Sequence, residues 1–185
     1  MRSKKPIIVI AAVVLLVGGF FLVNTFITQE QQVKEEDLLL YENASQGFSL
    51  RYPEGYVQVE PKEAGELKVS FSLTEEWEAF LAAPEAQEGP PAVTVEIFQN
   101  PENLPTVEWA AGEKRSNLTA GTGDYVQVEV QGKAGIAYGW PGLHDGLSVA
   151  LADRGLVYVI SVTYLTLEDR IVRDFPLFLE FFKTS

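Results

Sequence analysis

The chain of 185 residues has no cysteine, one histidine and one methionine, and its cations are outnumbered. Without cysteine there are no disulfide staples, and a lipid-modified cysteine anchor is excluded, so stability must come from packing. A single imidazole, His144, leaves one candidate for histidine-based acid–base work. Against 26 acidic residues stand 14 Lys and Arg, a formal net charge of −12. That balance argues against a nucleic-acid or anionic-lipid surface, since both recruit basic patches. Also lacking are a G-x-S-x-G elbow, an H-E-x-x-H helix, a Walker loop and a G-x-G-x-x-G turn after a strand. Gly121-Thr122-Gly123 reads as a flexible connector rather than a phosphate cradle. There is no internal repeat and no low-complexity tract.

One long apolar run is present. Residues 7–27, IIVIAAVVLLVGGFFLVNTFI, carry no charge, and Asn24 and Thr25 are their only polar side chains. As a helix they would extend roughly 30 Å, the thickness of a bilayer's hydrocarbon core. Arg2, Lys4 and Lys5 precede the run; Glu30, Glu35, Glu36 and Asp37 follow it, opposed only by Lys34. All the acidic residues lie beyond it. The positive-inside rule then places the N-terminus in the cytoplasm and the long C-terminal part outside. The expected organisation is a basic N-terminus at 1–6, a transmembrane anchor at 7–27, a polar stalk at 28–37 and an extracytoplasmic domain at 38–185. Secretion after cleavage is the alternative. A cleaved signal usually has an apolar region of about 7–15 residues and a small-x-small site, and VNTFITQE offers no such site.

Beyond the stalk the apolar period is mostly two. LLLY at 38–41 reads as a first strand and ENASQG at 42–47 as a turn. In GFSLRYPEGY at 47–56, Phe48, Leu50 and Tyr52 alternate with polar neighbours before a Pro-Glu-Gly corner, and Val57 and Val59 resume the pattern. LKVSFSL at 67–73 and AVTVEIF at 92–98 are further strands. TEEWEAFLAA at 74–83 changes to helical spacing, with Thr74 as a cap and Trp77, Phe80 and Leu81 as the apolar stripe. Thr106 is expected to cap a second short helix, VEWAAGEKR. YVQVEV at 125–130, AGIAYGW at 134–140, LSVALA at 147–152 and LVYVISVTYL at 156–165 are separated by QGK, PGLHDG and DRG, which suit hairpins. LEDRIVRDFPLFLEFF puts Ile171, Phe175, Phe178, Leu179 and Phe182 on one helical face, with Pro176 expected to kink or split that helix. The pattern predicts an α+β domain in which helices flank a mainly antiparallel β-sheet.

Several of these stretches resemble one family. GFSLRYPEGY, VSFSL, AVTVEIFQNPENLPTVEW, VQGKAGIAYGW, YVISVTYL and DFPLFLEFF together resemble PsbP-like domains over about residues 40–185. That family is named for an extrinsic subunit of photosystem II and shares its fold with a small Ran-binding nuclear import factor. The resemblance implies an α/β/α sandwich, with GFSLRYPEGY as its first hairpin. The closer likeness is to bacterial membrane-anchored PsbP-like proteins, and the motifs are packing and turn signals that speak to fold rather than activity.

Candidate sites are few. His144 lies beside Asp145 in WPGLHDGL, an arrangement that suits a base oriented by a carboxylate, a metal ligand, or simply a turn. Trp77, Trp109 and Trp140 are candidates to line a ligand groove, the last two with His144 and Asp145, or to serve as core and half-buried cover. Glu75, Glu76 and Glu78 could hold a cation, although helix-start electrostatics explain the first two and no calcium-loop spacing is present. Asn43-Ala44-Ser45 and Asn117-Leu118-Thr119 match the N-glycosylation pattern. Val172, Leu177 and Phe181 lie off the main stripe of the last helix, to pack under a loop or to meet a partner. No catalytic, cofactor-binding or metal-binding residue is assigned and no cofactor is expected. The expected function is a noncatalytic, membrane-tethered module that docks onto another envelope protein, with a small-ligand carrier or sensor as the alternative.

Overall fold

A computed structural model describes residues 33–59, 67–83, 89–121 and 123–185. The predicted anchor at 7–27, the N-terminus at 1–6 and most of the stalk lie outside the described residues. Among the described residues no helix is long and apolar enough to cross a membrane.

Two antiparallel sheets face each other. The larger has seven strands: β3 (Tyr56–Val59), β4 (Lys68–Leu73), β5 (Val93–Gln99), β6 (Val126–Val130), β7 (Lys133–Trp140), β8 (Asp145–Asp153) and β9 (Leu156–Tyr164). Their spatial order is β3-β4-β5-β9-β8-β7-β6. The smaller sheet holds β1 (Leu39–Asn43), β2 (Phe48–Tyr52) and β10 (Lys183–Thr184), with β2 in the centre. The helices are α1 (Thr74–Ala82), α2 (Thr106–Gly112) and α3 (Arg170–Glu180). This is the expected α+β architecture, with the meander β6–β9 where hairpin chemistry placed it. Gln131-Gly132 and Arg154-Gly155 make its tightest turns, all four residues having positive φ as type I′ hairpins require.

The corner in GFSLRYPEGY is a correction to the expected hairpin. β2 pairs with β1, from Leu39↔Tyr52 to Asn43↔Phe48, whereas β3 pairs with β4, starting at Tyr56↔Leu73. Pro53, Glu54 and Gly55 therefore carry the chain from the small sheet to the large one, Gly55 turning at φ +89°. Both strands show the same alternation, so periodicity alone does not say whether they pair with each other or with distant strands.

The main core fills the space between the large sheet and a lid made of α3 and the small sheet. Phe71, Val93, Val95, Leu151, Ile160 and Val162 come from the large sheet, Phe48 and Leu50 from β2, and Ile171, Phe175, Phe178 and Phe182 from the last segment. Aromatic rings join the layers: Tyr41 meets Phe71 edge-on at 5.6 Å, and Phe71 lies 5.6 Å from Phe178. Each such side chain fully removed from water contributes about 1.5–3 kcal/mol. On the opposite face, Phe98, Ile136, Tyr138, Ala150, Val157 and Val159 pack against Trp109, Ala110 and Leu118. The large sheet is buried on both faces, which explains why VALA and VYVI lose the clean alternation of a half-exposed strand.

The helix starts differ from expectation. Neither Thr74 nor Thr106 is a cap; each is the first helical residue, behind Leu73 and Pro105, which make no side-chain capping bond. β4 runs into α1 without a loop, and the Thr74 amide is satisfied by the Gly55 carbonyl at 2.9 Å. α3 is one helix rather than two pieces, continuing past Pro176. Pro176 is exposed and so costs the helix a main-chain bond without burying a clash in the core.

Candidate functional site

The four candidates from sequence do not form one groove. Trp109 is buried in α2, with 6% of its surface exposed, and its ring lies 5.0 Å from that of Phe98. The Arg115 guanidinium covers Phe98 at 4.6 Å. The segment after α2 is fastened to the sheet: Ser116 Oγ donates to the Ala110 carbonyl at 2.7 Å, and Tyr138 Oη donates to the Ser116 carbonyl at 2.5 Å. Trp109 is thus core, the packing role weighed against the groove role.

Trp140 is half-buried at the end of β7 and lies across Gly146, its partner in β8. A Cβ at Gly146 would sit 2.2 Å from the indole, so this close approach requires glycine. Trp140 Nε1 donates to Ser148 Oγ at 2.9 Å, and Ser148 Oγ shares a 2.7 Å hydrogen bond with Ser161. The indole is anchored, with a polar chain running under it.

His144 is half-buried in the β7–β8 turn, and Asp145 is exposed as the first residue of β8. No ion pair or hydrogen bond joins their side chains. Glu76, in the first turn of α1, lies within electrostatic reach of His144. Burial pushes the Glu76 carboxyl above its ordinary range, Asp169 and Glu75 add to that shift, and His144 opposes it. Glu76 Oε2 has no hydrogen-bond partner among the described residues. Asp169 sits at the start of α3 with its carboxylate turned back on the preceding loop, accepting from the Leu165 and Thr166 amides at 2.9 and 3.0 Å. Burial would raise the Asp169 carboxyl, but the Thr166 hydroxyl and these amides hold it below the usual range. Among the described residues, no group of three or more His, Cys, Asp or Glu is placed to hold a metal ion.

Two further polar knots were not legible in the sequence. Tyr56 Oη donates to Asp174 at 3.0 Å, while Arg170 reaches both Asp174 at 3.1 Å and the Glu54 carbonyl at 2.9 Å. At the other end of the sheet, Asp153 receives Lys133 at 2.8 Å and the Thr184 hydroxyl at 2.5 Å, tying β10 to the β8–β9 hairpin. Burial works to raise the Asp153 carboxyl; Lys133, Thr184 and Arg154 win, and it lies below its ordinary range. Each of these carboxylates is engaged in fastening elements together. In the two glycosylation-like sites, Asn43 is held by Ser45 within its turn, and Asn117 ends a short helical turn at φ +64°. Val172, Leu177 and Phe181 are all half-buried on α3 or at its end.

Open clefts on the surface of the described residues include these. One of about 490 Å³ is bordered by Gln46, Asp153, Arg154, Tyr158 and Ser185. A second, of about 430 Å³, lies between Lys68, Glu96, Glu113 and Arg115. The third, of about 540 Å³, lies between the start of α2 and the β6–β7 pair. None is lined by Trp109, Trp140, His144 or Asp145. Among the described residues the seven-stranded sheet also ends in an uncovered strand, β6, which its hairpin pattern alone does not distinguish from an inner strand.

A seven-stranded antiparallel sheet packed between α2 on one face and α3 with a small sheet on the other is a PsbP-like fold. The solution structure of cyanobacterial PsbP (CyanoP) from Synechocystis sp. PCC 6803 matches it with a TM-score of 0.54 at 15% identity. The match covers 83% of this chain and 95% of that one. A crystal structure of a protein from Bacteroides thetaiotaomicron VPI-5482 matches with a TM-score of 0.51 at 10% identity, over 79% of this chain and 48% of that chain. No family model matches the chain, and no curated protein matches it either. At these identities the likeness is one of fold, and folds of this kind are reused for different tasks.

Proposed function

We propose that the protein is a membrane-tethered, noncatalytic, extracytoplasmic module that docks onto or steadies an envelope protein complex. The observation that carries this is the order of the parts: a charge-free segment of bilayer length at 7–27, then the polar stretch at 28–37, then a PsbP-like domain. The chemistry of the described residues supports binding over turnover. The hydroxyl–carboxylate pairs Tyr56–Asp174, Thr166–Asp169 and Thr184–Asp153 are occupied in fastening elements together. Among the described residues, His144 is hydrogen-bonded to no hydroxyl that it could activate. A small-ligand carrier is less well supported, because neither Trp109 nor Trp140 lines the clefts described above and Trp109 is closed into the core.

Chemical crosslinking of the full chain in its native membranes, followed by mass spectrometry, tests the docking function. The expected result is one reproducible second protein joined to residues of the 38–185 domain. Recovery of this chain without any second protein, across several crosslinker lengths, counts against docking.

A further inference from the structure

We propose that the β6 edge, uncovered among the described residues, pairs antiparallel with β6 of a second copy, joining two seven-stranded sheets into one. This goes beyond the docking function and does not depend on it. The geometry starts from the hairpin. Val130↔Lys133 flank a two-residue type I′ turn and so form a hydrogen-bonded pair, as do Val128↔Gly135 and Val126↔Ala137 by alternation. The main-chain N–H and C=O groups of Gln127 and Glu129 therefore point away from β7, out of the sheet.

Natural edges are usually blunted by proline, lysine or a bulge. β6, VQVEV, has no proline or lysine, and its register with β7 is unbroken from Val126 to Val130. The other edge of the same sheet, β3, spans only four residues.

The edge is self-complementary in a single register. Centred on Val128, a two-fold axis sets Gln127 opposite Glu129 of the second copy, and Glu129 opposite its Gln127. The four outward main-chain groups on each copy then meet their counterparts. The side chains agree with this register: a carboxylate faces a carboxamide that can donate to it, and Val128 faces Val128. No two carboxylates are directly opposed. Gln127 and Glu129 are both exposed on the face shared with α2, where the 540 Å³ cleft beside Pro105 and Val107 leaves room for the second copy's side chains.

The symmetry suits chains that start on one side. The dyad of an antiparallel edge pair is perpendicular to the sheet, so each small sheet lies on the same side of the joined sheet. Leu38, which leads into β1, is then on that side in both copies, and two chains tethered to one bilayer can pair without either inverting.

The test exploits the lack of cysteine. Full-length chain carrying Val128→Cys, in membranes and under mild oxidation, is expected to give a disulfide-linked dimer. Val126→Cys is not, because its two copies are offset by four residues, about 14 Å along the strand. Adding Gln127→Pro to Val128→Cys removes one outward donor and no β6–β7 bond, and should abolish the dimer. Two gentler changes, each added to Val128→Cys, guard against misfolding. Gln127→Glu, facing Glu129 of the second copy, should lower the dimer yield several-fold, and Gln127→Lys should raise it. Three results overturn the proposal. The first is a Val128→Cys chain that stays monomeric while its thiol reacts with a maleimide. The second is a disulfide from that thiol to a different protein, and the third is equal dimer yields with Gln127→Glu and Gln127→Lys.

Discussion

Glu76 shows how one residue records the meeting of three elements. It stands in the first turn of α1, where a negative charge interacts favourably with the helix dipole, a gain of about 0.3–1 kcal/mol. Burial, then Asp169 at the start of α3, then Glu75, nevertheless push its carboxyl upward, and His144 only partly offsets them. Because the folded carboxyl binds its proton more readily than the unfolded one, its contribution to stability is present below the ordinary glutamate range. That contribution is lost as pH rises through the shifted value. Glu76→Gln should therefore stabilise the protein at pH 7, and the gain should shrink towards pH 4 as the wild-type carboxyl takes up its proton. Paired thermal melts at the two pH values measure this directly. An equal shift at both would mean that the charge of Glu76 is not what the fold resists.

At the scale of elements, the informative case is the corner between β2 and β3. Its turn chemistry was plain in Pro53-Glu54-Gly55, and so was the strand character on either side. The change of sheet was not, because the period of a strand does not name its partner: β2 pairs with β1 and β10, and β3 with β4. The two-residue β10 was invisible for the same reason, being fixed by Asp153 and the Ser185 amide bonded to Gly47 rather than by any local pattern. The meander was legible because hairpins are local, and their turns announce themselves. The candidate site fared less well. Trp109 and Trp140 look alike in sequence, yet one is enclosed by Phe98 and the other lies on Gly146. The corner's own test is Gly55→Ala. At φ +89° a Cβ is strained, and it would come within 3.2 Å of Arg170 Nη1, the cation that holds Glu54 and Asp174. The expected loss is about 1–2 kcal/mol, read from the urea midpoint at unchanged slope. A variant as stable as wild type would show that the corner does not require this conformation.

For the whole molecule, the governing feature is the segregation of charge and apolar length along the chain. Every acidic residue lies beyond residue 27, and three cations lie before residue 7. If residues 7–27 cross a bilayer, the basic end is held in the cytoplasm and the domain is displayed outside. The domain's start suits such an exit. Val33 to Asp37 are exposed, and the chain enters the core only at Leu38, just after the Arg51–Glu35 ion pair at 2.9 Å. Protease added outside intact cells, or to spheroplasts where an outer membrane intervenes, should therefore cut near Gln31 and Lys34 and release a folded acidic fragment. Leu16→Arg should weaken insertion by about 2.5–3.5 kcal/mol without abolishing it, because isoleucine, valine, leucine and phenylalanine fill most of the remaining span. Protection of the domain until the inner membrane is lysed would reverse the orientation. A mature N-terminus near residue 28 would instead make the segment a cleaved signal and the domain a secreted one.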